Sequence, residues 1–246
     1  MAEFKFPTEE VELPSKGLVY PEENPLSSGK VELKYMTAKE EDILTNQNYI
    51  AKGTVIDKLL KSLIVSKEIK YTDLIVGDKN ALIVASRILG YGKDYKFTYL
   101  GEEHEVDLST LENKKLDEKL FTQGKNEFEF TLPHSNTPIT FKILDEQDEQ
   151  NIQANLKGYQ KINKENFPEI TTRLKYIITS IDGERGKKEI NEFVDNYLLA
   201  RDSKALRDYL VKIQPDVHMI FEREDYDGNT EEVDIPIGVN FFFPDA

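Results

Sequence analysis

The hydrophobic period of this chain changes twice, and that change limits the fold more than any other feature. From Thr37 to Gly90 apolar residues recur at helical spacing; from Tyr95 they alternate every second residue; from about Glu146 the helical spacing returns. Side chains repeat their direction every 3.6 residues in a helix and every two in a strand. Helices and strands therefore come in separate blocks rather than in alternation. The pattern predicts an α+β fold: a helical body, a small β-rich insertion and a C-terminal β-hairpin, with no continuous parallel sheet.

The blocks are bounded as follows: an extended N-terminal segment at 1–36, a helical region at 37–92, the β-rich insertion at 93–144, a second helical region at 145–215, and a hairpin with an aromatic tail at 216–246. "TAKE" at 37–40 reads as a capping box, with Thr37 accepting from backbone amides and Glu40 reaching back. In "TVIDKLLKSLIV", Val55, Ile56, Leu59, Leu60, Leu63 and Ile64 share one face. The next helix takes Asp78 as N-cap and Gly90 as its C-terminal stop. In the insertion, Gly101 turns one hairpin and "PHSNTP" joins a second, "EFEFTL" to "ITFKIL". "PEITTRLKYIITSIDG" is expected to be one helix with Ile170, Leu174, Ile177, Ile178 and Ile181 on its apolar face, ended by Gly183. "KKEINEFVDNYLLARD" and "SKALRDYLVKIQP" add two more amphipathic helices. The N- and C-terminal extended segments, both short, are expected to pair in one sheet.

"EREDYDGNTEE" at 222–232 places Asp225, Asp227 and Asn229 in alternation. A calcium loop opening at Asp225 needs Gly at its sixth position and Glu at its twelfth. Those positions hold Thr230 and Pro236. The alternation of Val217, Met219 and Phe221 before it, and of Val233 and Ile235 after it, predicts a hairpin instead. Gly101 and Gly228 each open a G-x-x-x-E-V-D-[LI] stretch, an echo that suggests two comparable hairpins.

Composition narrows function mainly by exclusion. A net charge of −14 over 246 residues opposes nucleic-acid binding, which needs a basic surface, and opposes docking on an anionic membrane. No apolar run approaches a membrane span, and the N-terminus lacks the apolar stretch of a signal peptide. The absence of cysteine removes disulfides and thiolate chemistry. His104, His134 and His218 are scattered, so no metal site is expected. "GERGKKE" at 183–189 lacks the Gly and Ser/Thr of a phosphate loop at Ile181 and Lys188, and reads as a connector between helices. No G-x-S-x-G elbow is present, and no carboxylate pair stands out as a general acid and base. A non-enzymatic protein without cofactor or small-molecule substrate is expected.

"ELPSKGLVYP", "KYMTAKEEDIL", "VIDKLLKSLIV", "ASRILGYGKDY" and "VDIPIGVNFFFP", in that order, resemble the T4-type bacteriophage baseplate hub family. The resemblance covers the first hundred residues and the last thirty. It implies a structural or assembly protein of the tail baseplate hub, made in the host cytoplasm, present in the virion tail baseplate if it is a subunit, and working through contacts with other hub or tail proteins. The alternative is an acidic assembly chaperone or adaptor that leaves before the particle is finished. In that family the hairpins near Gly101 and Gly228 often carry paired cysteines in zinc-ribbon style; here those ligands are missing, so folding is expected to rest on strand pairing and aromatic packing. The candidate partner-binding residues are Leu13, Pro14, Leu18 and Tyr20 in the proline-rich N-terminal segment and Phe241, Phe242 and Phe243 near the end of the chain; the other reading is that both stretches seal the protein's own core. In a strand, Phe242 would face opposite to the other two.

Overall fold

A computed structural model describes residues 7–162, 167–224 and 228–243. A 16-residue helix, α4 (Val76–Tyr91), is deeply buried, and both the N-terminal segment and the last described turn are fixed to it. The fold is α+β: eight helices among the described residues, and four small antiparallel sheets.

Strands β1 (Thr8–Glu12) and β2 (Lys30–Lys34) pair with each other, in register Val11 to Val31. Three short helices follow, α1 (Ala38–Leu44), α2 (Gln47–Lys52) and α3 (Val55–Leu63). The apolar stripe of α3 is where periodicity puts it: Val55, Leu59, Leu60, Leu63 and the following Ile64 are buried. At the start of α1, Glu40 reaches back and accepts from the Thr37 backbone N–H at 3.0 Å and from its hydroxyl at 2.7 Å. The Thr37 hydroxyl thus donates to the carboxylate.

The ends of α4 differ from the sequence expectation. Ile75 is the N-cap, and Asp78 lies inside the first turn, fully buried. Gly90 is within the helix, where a Cβ would sit 2.0 Å from Met36 Cε, and the helix stops at Gly92 with φ of 84°. A side chain's contacts, rather than its capping propensity, decided both positions.

Strands β3 (Asp94–Tyr99) and β4 (Glu102–Asp107) form the first hairpin. Its two-residue turn, Leu100 and Gly101, has φ of 50° and 84°, the doubly left-handed geometry that matches strand twist. Strands β5 (Phe128–Thr131) and β6 (Pro138–Phe141) form the second hairpin. Asp202 holds its connecting turn, accepting from the backbone N–H groups of His134 and Ser135 at 2.8 and 3.0 Å.

The largest correction concerns "PEITTRLKYIITSIDG". After α5 (Glu146–Ile162), helix α6 spans only Glu169–Ile177, and Ile178–Ile181 become β7, which pairs with β6. Ile170 is 51% exposed, and Ile178 and Ile181 belong to the sheet. Three of the four residues from Ile178 to Ile181 are β-branched, and the open edge of β6 supplies hydrogen-bond partners that a longer helix would waste. The sheet therefore crosses the expected boundary at 144, and "GERGKKE" connects a strand to α7 (Lys187–Asn196), not two helices.

Helix α8 (Ala200–Ile213) leads into the last hairpin, β8 (Ile220–Glu224) and β9 (Thr230–Asp234). His218 precedes that strand and pairs instead with the insertion, its N–H donating to the Glu112 carbonyl at 2.8 Å. The terminal hairpins stay in separate two-stranded sheets rather than joining, because each satisfies its own ladder and packs on a different part of the body. The turn residues Asp225 and Asp227 lie outside the described residues, so the structure leaves the calcium reading of that turn where the sequence put it.

Val239–Phe242 form a turn of 3₁₀-helix, so Phe241 and Phe242 are both fully buried instead of facing opposite ways. Replacing Phe242 with Ala should cost about 3–5 kcal/mol, as full truncation of a core Phe does. Denaturant unfolding checks this; a loss below about 1 kcal/mol contradicts the core placement.

Candidate partner-binding surface

Most of the residues expected to meet a partner are inside the protein. Leu13, Pro14, Tyr20, Phe241 and Phe242 are buried; Leu18 and Phe243 are half-buried, the latter with its ring 6.0 Å from that of Tyr91. Of the two readings of these segments, interface anchor and core, their apolar side chains take the core placement.

The N-terminal segment is held by a buried clamp. The backbone N–H and hydroxyl of Ser15 donate to Asp78 at 2.9 and 2.6 Å, and the Tyr20 hydroxyl donates to the same carboxylate at 2.6 Å. Tyr20 in turn accepts from the Ile75 N–H at 3.0 Å. Burial pushes the Asp78 carboxyl above its ordinary range, against the pull of these hydrogen bonds and with help from nearby Asp216. Burial, and then the charge of Asp78, also push the Tyr20 phenol well up. The path of the segment depends on Gly17, with φ of 79°, where a Cβ would meet the Ser27 carbonyl oxygen at 2.3 Å. These contacts build a scaffold.

The two echoing hairpins meet through rings. Phe221 of β8 lies 5.0 Å from both Phe97 and His104, and Arg223 stands over Tyr99 at 5.2 Å while its Nε bonds Glu231 at 2.9 Å. Aromatic side chains thus fill the space between the hairpins, and His104 Nε2 is buried there without a hydrogen-bond partner. Among the described residues no three His, Asp or Glu side chains converge as a metal site. His104 lies in the aromatic cluster, His134 in the β5–β6 turn, and His218 is exposed.

Two of the surface depressions lie on the helical body. The larger, about 940 Å³, lies between α2 and α5; its Lys79 bonds Glu146 at 2.7 Å and its Asp57 accepts from Tyr71 at 2.8 Å. The smaller, about 400 Å³, lies between α6 and α8 and is apolar, with Leu174, Ile177 and Leu210 on its floor and Ile170 and Val211 on its rim. Ile170 and Val211 are 51% and 63% exposed. Arg173 bonds Glu149 at 2.6 Å and Glu169 at 3.1 Å beside it. Sequence reading missed this groove because it assigned Ile170 to a longer buried helix face. The short α6 leaves that residue on the surface.

Neither a family model nor a curated protein nor a solved structure matches the chain. No described helix is long and apolar enough to cross a membrane.

Two of the segments that carry the resemblance are joined by one titratable group. Glu40 accepts from Lys34 at 2.8 Å and from the Ser62 hydroxyl at 2.6 Å, linking "KYMTAKEEDIL" to "VIDKLLKSLIV". Burial works to raise its pKa, but the bonds from Lys34, Ser62 and Thr37 outweigh that and hold it at about 2, against an ordinary 4.5. The folded carboxyl binds its proton less tightly than the unfolded one, so its stabilisation is present above the ordinary value and is lost as pH falls through about 2. Glu40→Gln should lower stability at pH 7 and flatten this part of the acid limb. Equal acid limbs for the two proteins in urea unfolding would contradict the assignment.

Proposed function

We propose that this chain is a non-enzymatic structural or assembly protein of a contractile phage tail baseplate hub, acting through protein–protein contacts. One observation supports the reading beyond the order of the motifs: the described parts of the five resembling segments are linked to one another through α4 and Glu40. "ASRILGYGKDY" receives "VDIPIGVNFFFP" through Arg87, whose Nε donates to the Phe241 carbonyl at 2.9 Å, and through Tyr95, whose ring lies 4.8 Å from that of Phe241. "KYMTAKEEDIL" touches the same helix where Met36 covers Gly90. "ELPSKGLVYP" is tied to it through Asp78. Apolar side chains of the five segments, among them Leu13, Leu44, Leu59, Phe241 and Phe242, are buried, so these segments act as framework.

The acidic charge supports the same reading, since it keeps a subunit apart from its neighbours until a specific face is offered. Quantitative mass spectrometry of purified tails tests the proposal. A hub subunit is expected in fixed ratio to the other hub proteins. Absence from finished tails, combined with capture of hub proteins from infected-cell extract, supports the transient chaperone instead; absence from both overturns the baseplate reading.

A further inference from the structure

We infer that the apolar groove between α6 and α8 is occupied by the same groove of a second copy of this chain, forming a two-fold dimer. This inference rests on the groove alone and is independent of the baseplate reading.

Charge is the first argument. Each copy carries a net −14, so two copies approaching at random faces repel. The groove itself is neutral: its lining holds two carboxylates, Glu149 and Glu169, and two guanidinium groups, Arg173 and Arg207, which cancel. Two acidic chains can meet at such a patch without direct repulsion between the facing groups. Arg173 already joins both carboxylates of its own chain. Arg207 donates to the Ser203 carbonyl within its own helix at 3.3 Å and has no ion pair among the described residues. A two-fold axis presents each surface to itself, so any residue meeting a second one is met in return by its counterpart. A patch that contains both signs is suited to that rule, with Arg207 of each copy placed against Glu169 of the other.

Shape is the second argument. Val211 on α8 and Ile170 on α6 stand on opposite walls and are more than half exposed, whereas the floor between them is apolar and recessed. A two-fold partner brings a protruding wall to each recess, and the exposed apolar area leaves water on both sides at once.

Sedimentation of the full chain across concentrations up to about 100 µM in physiological salt tests this, since a modest interface dissociates in that range. The expected result is a concentration-dependent shift from 28.4 kDa to twice that mass. Val211→Glu should abolish the shift while leaving the circular dichroism spectrum and melting temperature unchanged, because that side chain is on the surface. Arg207→Glu and Glu169→Arg should each weaken the dimer, and an equimolar mixture of the two variants should restore it, because the two reversed charges then face each other across the contact. A chain that stays at 28.4 kDa throughout overturns the inference and leaves the groove to a different partner or to a small molecule. A dimer unaffected by Val211→Glu overturns it as well, by placing the interface on another face.

Discussion

An arginine in the interior has to be given acceptors, and the way this chain does so determines where its ends go. Arg87 on α4 is 1% exposed, and its guanidinium donates to the carbonyls of Phe241, Gly92 and Asp94. Leaving such a group dry and unsatisfied would cost several kcal/mol, roughly the whole margin of a small domain. The fork geometry of the guanidinium thus fixes the end of the helix, the start of β3 and the terminal 3₁₀ turn relative to one another. At the opposite end of the same helix, Asp78 does the equivalent work with the other sign, collecting Ser15 and Tyr20 from the N-terminal segment. One helix therefore holds both extremities of the chain through two buried charged groups, and the apolar residues of those extremities follow into the core.

That arrangement explains what could be read from the sequence. The stripe of α3, the Glu40 half of the capping box and all four hairpin strands of "DYKFTY", "EEHEVD", "FEFT" and "PITF" were legible, because each is decided by neighbours a few residues away. Asp78 was legible as a helix-start residue but not as a clamp, since its partners lie 58 and 63 positions earlier. The same limit applies to Phe241 and Phe242. A run of phenylalanines near a terminus suits an interface and a core equally, and only the distant Arg87 and Tyr95 distinguish them. The α6–β7 change was missed for a related reason: Leu174, Ile177, Ile178 and Ile181 satisfy a helical count, and the competing claim came from the edge of β6, about forty residues away. Its signal was present in the β-branched run "ITSI", outweighed by apparent periodicity.

The surface was the least legible part, and physically it had to be. Burial selects residue types strongly, whereas an exposed apolar residue is ordinary taken singly. Ile170 and Val211 become informative only when the fold sets α6 beside α8 and shows that nothing of the described chain covers the recess between them. No pattern in either helix alone reports that adjacency.

The repeated G-x-x-x-E-V-D-[LI] stretch shows how far local likeness extends in this fold. Gly101 and Gly228 both have left-handed backbone, with φ of 84° and 79°, and each leads into the returning strand of a hairpin. The positions eight residues into each stretch, Leu108 and Ile235, are both buried. Before the glycines the likeness ends. Tyr99 pairs with Glu102 across a two-residue turn, whereas Glu224 pairs with Thr230 across five residues. The strands facing the echo also differ, Phe97 standing opposite His104 where Arg223 stands opposite Glu231. The aromatic cluster between the hairpins is accordingly asymmetric: Phe97, Tyr99 and His104 come from one side, and Phe221 with the Arg223 cation from the other. Two hairpins held together by a metal would need matching ligands from both. Two held by ring packing need only complementary shapes, and the sequence between the shared turns is free to diverge as it has here.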